Sequence, residues 1–77
     1  MLTVVKFERL RRDVSVKDLT ARAGVDAGRY RNFERGDKYR KLEDVELEGV
    51  AECLSIPREM FADAKGAPLL MTEVCHN

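Results

Sequence analysis

The sequence predicts an all-α chain, a compact bundle of four to five short helices followed by a C-terminal tail. Three observations carry that expectation. Apolar residues recur at spacings of three and four through most of residues 3–61, the period of a helix rather than a strand. Thr3, Ser15 and Asp26 each precede such a segment, and all three side chains can accept a hydrogen bond from an orphaned N–H of a first helical turn. Gly24, Pro57 and the Gly66-Ala67-Pro68 run interrupt the periodic segments where helices would end or begin.

The first helix is expected over 3–12, with Val4, Phe7, Leu10 and the stem of Arg11 on the inward stripe. Lys6, Arg9 and Arg12 would lie on or near the outer side, where they could reach phosphates flanking a nucleic-acid groove. Residues 15–36 organise the rest of the chain. A helix capped by Ser15 runs to Ala23, Gly24 supplies a left-handed end, and Asp26 caps a second helix after the apolar Val25. Leu19, Ala23, Val25, Tyr30 and Phe33 can point inward together. Two helices around a short glycine-containing turn make a helix-turn-helix.

Residues 37–41 read as a polar loop. Residues 42–55 read as the fourth helix, with Leu42, Val45, Leu47, Val50, Ala51, Cys53 and Leu54 covering more than half its circumference. Gly49 inside it implies close packing, with the first helix as the expected neighbour. A fresh short helix is expected over 55–61, where Met60 and Phe61 would close the core. Residues 1–61 would thus form one domain and residues 62–77 a tail. The apolar run at 69–75 needs cover, and pairing with the tail of a second subunit is the favoured expectation. Packing on its own domain or on another protein are the alternatives.

With Tyr30 and Phe33 inward, the second helix of the motif turns Ala27, Gly28, Arg31, Asn32 and Arg35 outward as one stripe. A major groove admits one α-helix, Arg can hold guanine bidentately, and Asn can hold adenine. Ala27 and Gly28 would allow close approach. Arg31 and Asn32 would read bases, and Arg35 would sit at the groove edge. Lys17, Arg29, Lys38, Tyr39 and Arg40 would grip phosphates, fixing register without reading sequence.

On Ser15, Leu19, the Ala23-Gly24-Val25 turn, Tyr30, Phe33 and the Glu34-Arg35-Gly36 ending, the chain resembles the lambda-repressor-like, Cro-type helix-turn-helix domains of the XRE family. A weaker match through Leu47, Val50, Ala51, Leu54 and Ile56 extends the resemblance over about residues 7–61. The resemblance implies a DNA-binding transcriptional regulator, a dimeric repressor of prophage or plasmid type, with the short fifth helix at the dimer contact. It also implies that an arginine late in the first helix pairs with Glu34, and Arg9 and Arg11 both qualify. The chain departs from the pattern at Val16, where the family usually has a phosphate-binding Gln, and at Thr20, where a small Ala is common. The connection before Ser15 is about one residue short.

Composition fits a single small domain of 77 residues. No apolar run approaches the ~20 residues of a membrane span, and residues 1–8 lack the regions of a signal peptide. A cytoplasmic location is the expectation. Formal net charge is zero, yet it is split. Twelve Lys and Arg face six Asp and Glu through Lys41, while two face eight beyond it. Such a dipole would orient the molecule on a polyanion. Cys53 reads as a core residue, and Cys75-His76 offers only two adjacent ligands, so neither a metal nor a cofactor is implied. The lone His76 and the lack of a nucleophile–base pair argue against an enzyme. Double-stranded DNA and a second copy of the chain are the expected partners. The alternative is an antitoxin or other protein-partner module on the same fold, supported by the acidic half and the apolar tail.

Overall fold

The computed structural model describes residues 2–36 and 41–74. Its helices are α1 (Val4–Arg11), α2 (Val16–Ala23), α3 (Ala27–Glu34), α4 (Asp44–Leu54) and the single turn α5 (Met71–Val74), with a 3-10 turn at Arg58–Met60. Among the described residues the only β pairings are two isolated bridges, Thr3 with Leu70 and Ala62 with Pro68. The described part of the chain is therefore all-α, and no described helix is long and apolar enough to cross a membrane.

The predicted caps are present. Thr3 Oγ1 accepts from the Lys6 N–H at 3.2 Å, Ser15 Oγ from Asp18 at 3.1 Å, and Asp26 Oδ2 from Arg29 at 3.0 Å. Gly24 ends α2 with φ +71°, a conformation costly for residues with a Cβ. Leu19, Val25, Tyr30 and Phe33 are buried around this turn. Phe33 meets Phe61 edge-on at 6.3 Å, the favoured geometry for two rings. Leu47, Val50, Ala51 and Leu54 of α4 complete the core at helical spacing.

α1 is rotated from its expected phase. Val4 is buried, Phe7 is half-buried and Leu10 is 55 % exposed, while Val5, Glu8 and Arg9 are inside. The cause is polar rather than apolar: Arg9 is drawn into a buried ion pair that fixes which side of the helix faces in. Arg9 and Arg11 do not share the inner face, and the Arg11 side chain remains largely in solvent. Asp13, at φ +55°, makes the short connection to α2 possible, a left-handed conformation Asp tolerates better than most residues.

α4 differs from expectation at its start. Leu42 is buried but precedes the helix, which opens with a reciprocal box between Glu43 and Glu46. Val45 is off the core-facing stripe and 82 % exposed. Cys53 is half-buried. Gly49 faces α2, not α1: a Cβ there would lie 2.5 Å from the Ala23 carbonyl oxygen. The predicted helix over 55–61 is one 3-10 turn, because Ser55 is spent as the left-handed end of α4 and Pro57 is extended. Phe61 is buried there, but Met60 faces out.

The segment expected as an uncovered tail is part of the same body. The Asp63 carboxylate accepts from the N–H groups of Lys65 and Ala67, which hold its pKa below the usual carboxylate range and shape a turn ending at Gly66. Gly66 C=O then accepts from Leu42 N–H at 3.2 Å. Leu69 N–H donates to Phe61 C=O, and Leu69 C=O accepts from Val4 N–H, one of the orphaned donors of α1. Met71 N–H donates to Leu2 C=O. Ala62, Ala67 and Pro68 are buried, so residues 62–71 find their cover in their own chain rather than demanding a second subunit. The described residues end in α5.

The close approach of α4 to α2 gives a direct test. Gly49→Ala pushes a methyl into the Ala23 carbonyl, and overpacking of this kind costs roughly 1–3 kcal/mol. Urea denaturation of the variant should show a lower midpoint; an unchanged or raised midpoint would mean that the helices part without cost.

Candidate nucleic-acid interface

α3 is anchored from beneath by three buried residues, Tyr30, Phe33 and Glu34. Glu34 Oε1 accepts from Arg9 Nε at 2.6 Å and from the Tyr30 hydroxyl at 2.9 Å, and Oε2 accepts from Arg9 Nη2 at 3.2 Å. Arg9 Nη1 donates to the Val14 carbonyl. The pair with Glu34 raises the Arg9 pKa, and burial followed by the Glu34 charge raises that of Tyr30. Thr3 Oγ1 donates to the Glu34 carbonyl at 2.7 Å, so the start of α1 also holds the end of α3. Arg9, not Arg11, is the partner of Glu34. Its guanidinium is consumed there and leaves the outer side on which it was first placed.

Opposite this anchor, Gly28, Arg31 and Arg35 are exposed while Ala27 and Asn32 are half-buried. At 100° per residue, Gly28 and Arg35 point most directly away from Tyr30 and Phe33, with Arg31 and Asn32 displaced about equally to either side, Arg31 on the Glu34 flank. Gly28 also has a local reason to be small. A Cβ there would approach the Asp26 cap oxygen to 3.1 Å, so a larger residue crowds the cap of α3.

The residues expected to grip phosphates are divided. Lys17 is exposed in the first turn of α2. Arg29 is turned toward α4, where Nη2 and Nε donate to the two Glu46 carboxylate oxygens at 2.7 and 3.2 Å. That pairing raises the Arg29 pKa and lowers the Glu46 pKa. Lys38, Tyr39 and Arg40 lie outside the described residues. Thr20 is buried, and its hydroxyl donates to the Val16 carbonyl at 2.8 Å, which satisfies the polar group that replaces the smaller residue of the pattern. Val16 is partly buried against the core and offers no polar atom beyond its backbone.

Comparison with protein-family models, with curated proteins and with solved structures finds no match. The site therefore stands on its own geometry. Among the described residues, no three His, Cys, Asp or Glu side chains gather where they could hold a metal ion.

Sequence reasoning left Lys6 on the outer side of the first helix, within reach of flanking phosphates, and the fold brings it beside Arg31 and Arg35 at one cleft. Sequence reasoning missed Glu46 as the captor of Arg29. The Glu43-x-x-Glu46 box was a readable signal for the helix start, but the contact to Arg29 spans 17 residues and leaves no local trace.

Two tests follow from these contacts. Arg9→Met strands a buried carboxylate and should cost roughly 3 kcal/mol in chemical denaturation, whereas Arg11→Met should cost little. Equal effects would assign no special role to Arg9. The second concerns acid. Because the native Glu46 pKa is depressed, its contribution is present above the ordinary Glu range and is lost as pH falls through the lower native value. Glu46→Gln should therefore lose less stability than the parent between pH 5 and about pH 3. Parallel acid curves for the two proteins would show that the pair contributes nothing.

Proposed function

We propose that the chain is a sequence-specific double-stranded DNA-binding regulator built on a lambda-repressor-like, Cro-type helix-turn-helix. In this reading it acts as a dimeric repressor of prophage or plasmid type, and it binds without catalysing a reaction. The observation that carries the reading is the division of α3: Tyr30, Phe33 and Glu34 are buried, while Gly28, Arg31 and Arg35 stand in solvent. Eight residues of helix extend about 12 Å, comparable with the width of a major groove. The small Ala27 and Gly28 lead, and Arg31, Asn32 and Arg35 follow with the donors suited to base edges. The excess of cations before residue 42 and of acids after it favours approach through this side.

In this arrangement Lys17 grips the backbone from α2. Asn32 and Arg31 read bases, and Arg35 sits at the edge of the groove. Lys38, Tyr39 and Arg40 extend the backbone contacts from the connection between α3 and α4. Arg29 contributes only when a phosphate displaces Glu46.

A second reading, a protein-partner module such as an antitoxin, is favoured by one specific observation: Val45 is exposed among the acidic residues that open α4. The two readings separate in a single selection. Duplexes retained from a random-sequence pool at about 0.15 M salt should be enriched in an inverted repeat with half-sites about one helical turn apart, ~34 Å. No enrichment would move the assignment to the partner module. Within an enriched site, Asn32→Ala should relax preference at one base pair at a cost of ~1–3 kcal/mol. Equal losses on specific and random DNA would remove Asn32 from base reading.

A further inference from the structure

We infer that Lys6, Arg31 and Arg35 form one phosphate-binding cleft between α1 and α3, floored by Val16 at the start of α2. The cleft encloses about 330 Å³ and is lined by these four residues and Glu34. Lys6 of α1 opens on the same space as Arg31 of α3 and Arg35 at its end, 25 and 29 residues further along the chain. The one acid in the lining does not cancel them. Both Glu34 oxygens are held by Arg9, and one also by Tyr30, so its charge is met from inside the domain. Among the described residues, the cleft therefore presents three cations to solvent without a free carboxylate beside them, and Val16 adds an apolar side chain to its lining.

The chemistry is that of a phosphate. Guanidinium forks match phosphate oxygens bidentately, while a lysine ammonium serves as a point charge. The volume exceeds a bare phosphate ion and admits the attached sugar as well. For its source, the inference rests on the DNA-binding reading: the occupant is a backbone phosphodiester flanking the groove that receives α3. It moves Arg35, and the flank on which Arg31 stands, from the base edges to the backbone. It also recruits Lys6 of α1, and it supplies the grip that Val16 cannot.

The test uses the full chain, with amide spectra recorded during titration by inorganic phosphate and, separately, by an arbitrary 20-base-pair duplex. Lys6→Gln and Arg35→Gln are compared with Arg22→Gln, which removes an equal charge from the exposed surface of α2. All three positions are exposed, and thermal melts check that each variant remains folded. Both probes should shift the amides of Lys6, Val16, Arg31 and Arg35. The two cleft variants should weaken each interaction about tenfold, and Arg22→Gln should weaken it less than twofold. The cleft variants should also flatten the salt dependence of duplex binding by about one phosphate contact.

Shifts by the duplex alone would support the inference and name the strand backbone as the occupant. Shifts by inorganic phosphate with no duplex binding would keep the cleft as a small-anion site and remove the DNA reading. Duplex binding that the cleft and control variants weaken equally would overturn the inference while leaving the DNA reading intact. Silence at the cleft with both probes would overturn it as well.

Discussion

The way α1 sits against α3 turns on one buried ion pair. Arg9 and Glu34 meet through two hydrogen bonds, Tyr30 adds a third donor, and the remaining Arg9 nitrogen reaches the Val14 carbonyl. Four segments are joined there: α1, the connection after it, and the middle and end of α3. A buried pair of this kind is poor evidence of net stability, because desolvation offsets much of the attraction. Its consequence is orientation. Rotating α1 by one position would break the pair and leave two charges without partners, so the pair overrules the apolar stripe and exposes Leu10. The same rotation carries Lys6 to the side of Arg31 and Arg35. A structural contact thereby decides where the surface cations gather.

The remaining packing holds α3 in place without touching its outer face. Gly49 lets α4 lie against the Ala23 backbone, which fixes α2 from behind. The segment after Phe61 returns to the start of the chain, where Leu69 accepts from Val4 and Leu70 lies close to Gly36 and Thr3. Thr3 in turn donates to the Glu34 carbonyl. The segments around Thr3 and Leu70 thus meet at the end of α3, so residues 69–71 support the candidate interface through backbone bonds.

What was legible in the sequence was local. Ser15, Gly24 and Asp26 act within one turn of themselves, so the boundaries of α2 and α3, their caps and the buried Leu19, Tyr30 and Phe33 followed from spacing. The outer stripe of α3 followed as the complement of that face. What was not legible depended on partners distant in sequence. The choice between Arg9 and Arg11 needed the position of Glu34, and the role of Gly49 needed the end of α2. The cover of residues 62–71 needed the start of α1. Val45 was counted as core because its apolar side chain fits a helical window, yet the axis of α4 is fixed by Leu47, Val50 and Leu54, which leave position 45 outside.

Arg29 shows how the electrostatics of the two halves bear on binding. It lies next to the candidate reading face, and its guanidinium is engaged by Glu46 from the acidic half. The pair is half in solvent on the arginine side, where ion pairs contribute little to stability and are screened by salt. A phosphate offers the same bidentate geometry with an equal charge, so the exchange costs little beyond freeing Glu46. Glu46 still accepts the Glu43 N–H after such an exchange, and the start of α4 keeps its cap. In the proposed DNA-binding reading Glu46 would be a stand-in anion for Arg29, whereas Glu34 holds Arg9 inside the domain. Two arginines of the same basic half are thus assigned different fates by the depth at which their carboxylates sit.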